Sequence, residues 1–244
     1  AEYTSLIVGL LLVWRVMVMR GLSLRLMLRA WRGDVSRLLR LNRDIMLRSL
    51  LLQICFASLT LVGARLGNDI VAVNAVLLMF LTFTAYALDG FAYAVEACSG
   101  EAYGARNSQQ LLSVWHAACR QSLVVALGFS LLYALAGEHI VALLTSLEPL
   151  RQLADQYLWW QVLMPLAGVG CYLLDGMFIG ATRASEMRNS MAVAALGFGL
   201  TLCSVPWLGN HGLWLAITLF LLLRGVTLWA IWRRHWRHGT WFIS

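Results

Sequence analysis

The feature that most constrains this chain is a pair of carboxylates, Asp89 and Glu96, inside an apolar run from Ile70 to Ser99 that is long enough to cross a bilayer. At helical pitch, Thr82, Tyr86, Asp89, Tyr93 and Glu96 share one face, while Leu88, Phe91, Ala92 and Val95 occupy the others. A carboxylate at membrane depth costs at least about 2 to 3 kcal/mol on insertion scales. It therefore faces a bundle interior or a water-filled cavity and marks an ion or proton pathway. One side of this helix must avoid lipid, and transport is the expected class of activity.

Composition agrees with a membrane setting. Of 244 residues, 60% are hydrophobic and 13% charged, and the mean hydropathy is +0.72. All 19 basic residues are arginines, concentrated where apolar segments end. That is the pattern of loops on the cytoplasmic side of a membrane rather than of nucleic-acid binding. The five cysteines, Cys55, Cys98, Cys119, Cys171 and Cys203, lie singly in apolar runs. They read as small buried hydrophobes, with neither a disulfide nor a metal site expected.

Tyr3 to Met19, apolar apart from Arg15, reads as a span whose beginning has been cut off, and the chain as the later part of a longer protein. Residues 21–48 form a basic segment with Leu24, Leu28, Trp31, Val35 and Leu38 on one stripe, expected to lie as an amphipathic helix on the cytoplasmic surface. A lobe of six spans, residues 49–232, should follow: Ser49–Leu66, Ile70–Ser99, Leu111–Ala136, Tyr157–Thr182, Met191–Leu208 and Leu213–Trp232. Loops bearing Arg106, Arg120, Arg183 and Arg188 and the tail, 233–244, fall on one side. Loops with Arg151 as their only base fall on the other, which places the C-terminus in the cytoplasm. Glu138 to Asp155 mixes leucine pairs with charges and suggests a short helix at the outer surface.

Polar residues within the spans should point inward. Gln161, Pro165, Gly168, Tyr172, Asp175 and Thr182 form one stripe, and Pro165 invites a bend. Ser49, Gln53, Ala57 and Thr60 form a milder one. Arg224 sits among leucines near the C-terminal end of the last span, where its head is expected to snorkel to the interface, although Asp89, Glu96 and Asp175 are alternative partners. Asp89 and Asp175 have similar surroundings, Tyr-Ala-Leu-Asp-Gly-Phe from Tyr86 and Tyr-Leu-Leu-Asp-Gly-Met from Tyr172, as if two helices offered comparable acidic faces to one cavity. Candidate substrate- or ion-binding residues are therefore Asp89, Asp175, Tyr86, Tyr172, Gln53 and Glu96. Trp159, Trp160, Trp207, Trp232 and Trp236 lie near span ends, as belt residues do.

Gly63-Ala64-Arg65-Leu66-Gly67, Val71 to Ala75, Gly100 to Asn107 and Asp175 to Arg183 running on to Arg188-Asn189 make the sequence resemble the C-terminal half of the multidrug and toxic compound extrusion (MATE) transporters, in particular their bacterial DNA-damage-inducible branch. The resemblance implies an all-α, polytopic helical bundle of twelve helices in two lobes. This chain would be the second lobe, after one truncated helix of the first. It also implies a cavity that extrudes amphipathic or cationic compounds in exchange for protons or sodium ions across the bacterial inner membrane. No cofactor beyond that ion is implied, and the partners are small molecules, membrane lipids and the first lobe. Sodium-coupled members commonly carry a Glu in the helix matching Gln53 to Thr60, where this sequence has no acid, and the proton site of the nearest branch is usually placed in the first lobe.

Two other readings exist. One is a lipid-linked oligosaccharide flippase of the same superfamily. The other is an intramembrane aspartyl protease, in which paired aspartates share a proton. The Gly-x-Gly-Asp sequence expected of such proteases is absent at both Asp89 and Asp175.

Overall fold

A computed structural model of the chain describes Gly9, Trp14 and Arg15 and residues 35–242, the side chains of residues 35–38 aside. The expected truncated span and most of the basic segment lie outside the described residues. The chain divides into two compact units, residues 1–43 and 44–244. In the described residues every regular element is helical: α1 Val35–Leu66, α2 Asn68–Gly104, α3 Ser108–Leu144, α4 Glu148–Asp155, α5 Leu158–Gly180, α6 Ala184–Leu202, α7 Val205–Leu208 and α8 Asn210–Arg237.

Five of these, α1, α2, α3, α5 and α8, are long and apolar enough to cross a membrane. The polytopic all-α expectation therefore stands, while several boundaries differ. α1 runs unbroken through Ser49, so Arg48 belongs to a helix that continues into the apolar segment. The expected span Met191–Leu208 is not one helix. α6 begins earlier, at Ala184, and ends at Leu202, and the single turn α7 follows. The cause is Pro206, which has no amide hydrogen to give to Leu202 and crowds that carbonyl. In the turn between the two helices Ser204 donates its Oγ–H to the Thr201 carbonyl at 2.7 Å. Between Glu138 and Asp155 a short helix does form, opened by Pro149 in its first turn.

α5 is the centre of the lobe and packs against α2, α3 and α8, while α6 packs on α8. The α2–α5 contact is the tightest, and two glycines one turn apart explain it. A Cβ on Gly176 would collide with the carbonyl of Ala92, and one on Gly180 with the carbonyl of Glu96 and the Ser99 hydroxyl. Small residues four apart let helix backbones approach where lipid offers no hydrophobic drive. Pro165 sits within α5 without interrupting it. α1 has few close backbone contacts with the other helices and is joined to them by side chains instead. Arg48 reaches Asp175, Asp44 pairs with Arg188 at 2.7 Å, and Cys55 and Leu59 enter the core. α1 and α2 are joined by Gly67 alone, whose φ of 132° is open only to glycine.

A buried polar clasp ties α2 to α8. Asn74 and Asn210 exchange amide hydrogen bonds of 2.8 and 2.9 Å, and Trp214 Nε1 donates to Asn74 Oδ1 at 3.0 Å. Two tryptophans expected at an interfacial belt are core residues instead. Trp160 is buried and donates to His211 Nδ1 at 3.2 Å, and Trp232 is buried against Trp115. Both sit on the bundle-facing side of their helices, which position near a span end does not reveal. Cys98 and Cys203 are likewise exposed rather than buried, because they occupy outward faces of α2 and of the turn after α6.

Candidate functional site

Where α1 stands off from α2, α5 and α8, a cavity of about 400 Å³ remains. Its floor is apolar, with Leu52, Cys55, Phe56, Leu81, Phe220 and Leu221 among the walls, and into it project Arg48, Asp89, Glu96, Asp175 and Arg224. Each charged residue is aimed by its helix. In α2, Thr82, Ala85, Asp89, Ala92, Tyr93 and Glu96 recur at three and four residues and line one wall. Tyr172 and Asp175, three apart on α5, line the next.

Asp175 is the hub. Its Oδ2 accepts from Arg48 Nη2 at 2.7 Å and also from Arg224 Nη2 on α8, joining three helices through one oxygen. Arg224 is 4% exposed, and its guanidinium lies 5.5 Å from the centre of the Phe220 ring. Snorkelling is therefore overturned. α8 continues for thirteen residues beyond Arg224, about 20 Å at 1.5 Å per residue, too far for the side chain to reach the helix end. Asp89 stands differently. Among the described residues it makes no side-chain hydrogen bond or ion pair, although it feels the charges of Asp175, Arg224 and Arg48 across the cavity. With every group ionised, three carboxylates face two guanidiniums, which leaves one negative charge in excess.

Four of the six sequence candidates, Asp89, Asp175, Tyr172 and Glu96, therefore sit around one cavity, and two do not. Tyr86 is 73% exposed and points away. At about 100° per residue it lies roughly 60° from Asp89, on the opposite side from Ala85 and Ala92, which face α5. Gln53 is exposed because α1 turns the neighbouring stripe of Arg48, Leu52, Cys55 and Phe56 inward. Gln161, from the expected polar stripe of α5, is wholly buried outside the cavity. Arg48 was missed by sequence reasoning. Its spacing of four from Leu52 and seven from Cys55 was the available signal, hidden by assigning it to a surface segment.

A family model described as MatE matches residues 45–207, which includes the cavity walls from α1, α2, α5 and α6. The chain belongs to the MatE family. Its members are transporters. Over all 244 residues the chain is 70% identical to the DNA damage-inducible protein F of Escherichia coli (strain K12), covering 53% of that protein. It also shares the fold of a crystal structure of MATE in the bent conformation, with a TM-score of 0.77 at 20% identity over 86% of this chain and 48% of that one. The chain thus spans about half the length of the relatives it matches.

Proposed function

We propose that this chain is one lobe of a secondary transporter that exports amphipathic or cationic small molecules across the bacterial inner membrane in exchange for protons or sodium ions. Its C-terminus would lie in the cytoplasm. The observation that carries the reading is the cavity itself, an apolar chamber with a carboxylate, Asp89, that pairs with none of the described residues, beside a fixed Arg48–Asp175–Arg224 group. Apolar walls suit the hydrocarbon part of an amphipathic compound, and the excess negative charge suits a cation or a proton. Asp175 is already neutralised by two arginines, which leaves Asp89 and Glu96 open to exchanging an ion, and Asp89, seven residues further from the C-terminal end of α2 than Glu96, is the one set deeper in the span. Alternating access moves one repeat against another around a site between them, so residues 1–244 reconstituted alone are expected not to transport.

The test is dye efflux by the full-length protein in proteoliposomes under an imposed proton or sodium gradient. Asp89→Asn should reduce gradient-driven efflux at least about tenfold while the protein still folds. Normal coupled efflux by that variant would rule out Asp89 as the exchanging group and move coupling outside this cavity.

A further inference from the structure

The last three turns of α8 carry a stripe that the transport reading does not use. Val226, Trp229, Ala230, Arg233 and Arg237 recur at helical spacing and, with His238, line an open groove of about 290 Å³. The stripe is apolar at Val226, Trp229 and Ala230 and cationic at Arg233, Arg234 and Arg237. From Val226 to Arg237 it rises about 16 Å at 1.5 Å per residue. That matches the hydrocarbon depth of one leaflet, about 15 Å, so on a helix apolar enough to span the stripe is long enough to reach from acyl chains to headgroups.

Two devices hold the groove in shape. Trp229 is fixed by aromatic contacts, its ring 5.0 Å from Trp232 and 6.2 Å from Trp115, so that one face is packed while the residue remains 42% exposed. At the other end the chain does not trail away. The His238 amide caps α8 by donating to Arg234 O, Gly239 turns with φ 63°, and Trp241 is buried with the Arg183 guanidinium 5.0 Å from its ring. Arg237 and His238 therefore flank a fixed turn. Arg233, Arg234 and Arg237 make no ion pair among the described residues, and no carboxylate lines the groove. Arg234 and His238 also border a second recess, but that one contains Glu186, which pairs with Arg183 and His235.

We propose that this groove binds an anionic phospholipid, its phosphate held between Arg233, Arg234 and Arg237 and one acyl chain lying along Trp229 and Val226. Guanidiniums bind phosphate oxygens in forked pairs, and the apolar length below them distinguishes a lipid from a free anion.

The probe is phosphatidylglycerol, with phosphatidylcholine for comparison, added to the delipidated full-length protein and counted as bound lipid by native mass spectrometry. Phosphatidylglycerol should be retained in preference to phosphatidylcholine. Arg233→Gln with Arg237→Gln should weaken its binding about 25-fold, roughly fivefold for each arginine near a membrane surface. Trp229→Ala should also weaken it, whereas Arg106→Gln with Arg120→Gln, which removes the same charge elsewhere, should not. All four arginines are exposed, and thermal unfolding identifies any variant that misfolds, in which case Arg237→Gln alone is used with an expected loss of about fivefold. Equal loss in the control pair would reduce the effect to net charge and overturn the site. So would equal retention of phosphatidylcholine. Competition by inorganic phosphate at the lipid's own concentration would mark a simple anion site and overturn the lipid assignment.

Discussion

Asp175 offers the sharpest test of how the cavity is held together. Replacing it with Asn preserves shape but strands Arg224, which is nearly fully buried, and Arg48, whose side chain is 19% exposed. Removing one partner of a buried ion pair costs about 3 to 5 kcal/mol, because the other charge is left uncompensated in low dielectric. Arg48→Ala is a milder change. Asp175 keeps Arg224, and the lost pair is partly solvated, so the cost should be about 1 kcal/mol or less. Asp175→Asn combined with Arg224→Met removes the stranded charge with similar volume and should recover at least half of the loss, since apolar replacement of a buried pair is often neutral. Thermal unfolding of the purified full-length protein, followed by thiol reactivity of the buried Cys55 and Cys171, ranks the variants. Destabilisation by Arg48→Ala as large as that by Asp175→Asn, or a double variant no more stable than the single one, would refute the role of Asp175 as the buried hub.

Gly176→Val should destabilise by several kcal/mol or abolish monodisperse behaviour in size-exclusion chromatography, whereas Gly170→Ala, with open space at its Cβ, should be silent. In gradient-driven efflux, Asp175→Asn should lose more activity than Glu96→Gln, because Asp175 fixes two other helices and Glu96 makes no ion pair within the cavity; equal losses would show that the cavity charges act as one structural network. Trp241→Ala should release the folded-back tail, and trypsin cleavage after Arg237 should become several times faster; an unchanged rate would show that the tail is held elsewhere. In the α4 region, partial burial and then the neighbouring Glu138 and Glu148 push the Asp155 carboxyl up. A carboxylate whose folded pKa is raised costs stability above its ordinary value near 4, and that cost disappears as the pH falls below it. Asp155→Asn should therefore raise the unfolding temperature slightly at pH 7 and leave it unchanged near pH 3; a gain that persisted at pH 3 would refute the electrostatic cause.

The sequence by itself determined the membrane setting, the all-helical class and the placing of Asp89 and Asp175 on inward faces. Each rests on a local rule, the cost of putting a charge or an open backbone group into lipid, which can be applied one helix at a time. Helix ends were less legible where a single residue overrode an apolar run, as Pro206 does in splitting the expected fifth span. Only the tertiary structure decided which charges meet. Arg224 could be read as snorkelling or as paired from its own helix, and Arg48 looked like the edge of a surface segment. Their convergence on one oxygen of Asp175 depends on the angles at which α1, α5 and α8 are set. Tyr86 and Gln53 show the same limit. Periodicity identifies a polar stripe about 100° wide. Which half of it faces the cavity is fixed by the close α2–α5 approach at Gly176 and Gly180 and by the way α1 stands off from its neighbours.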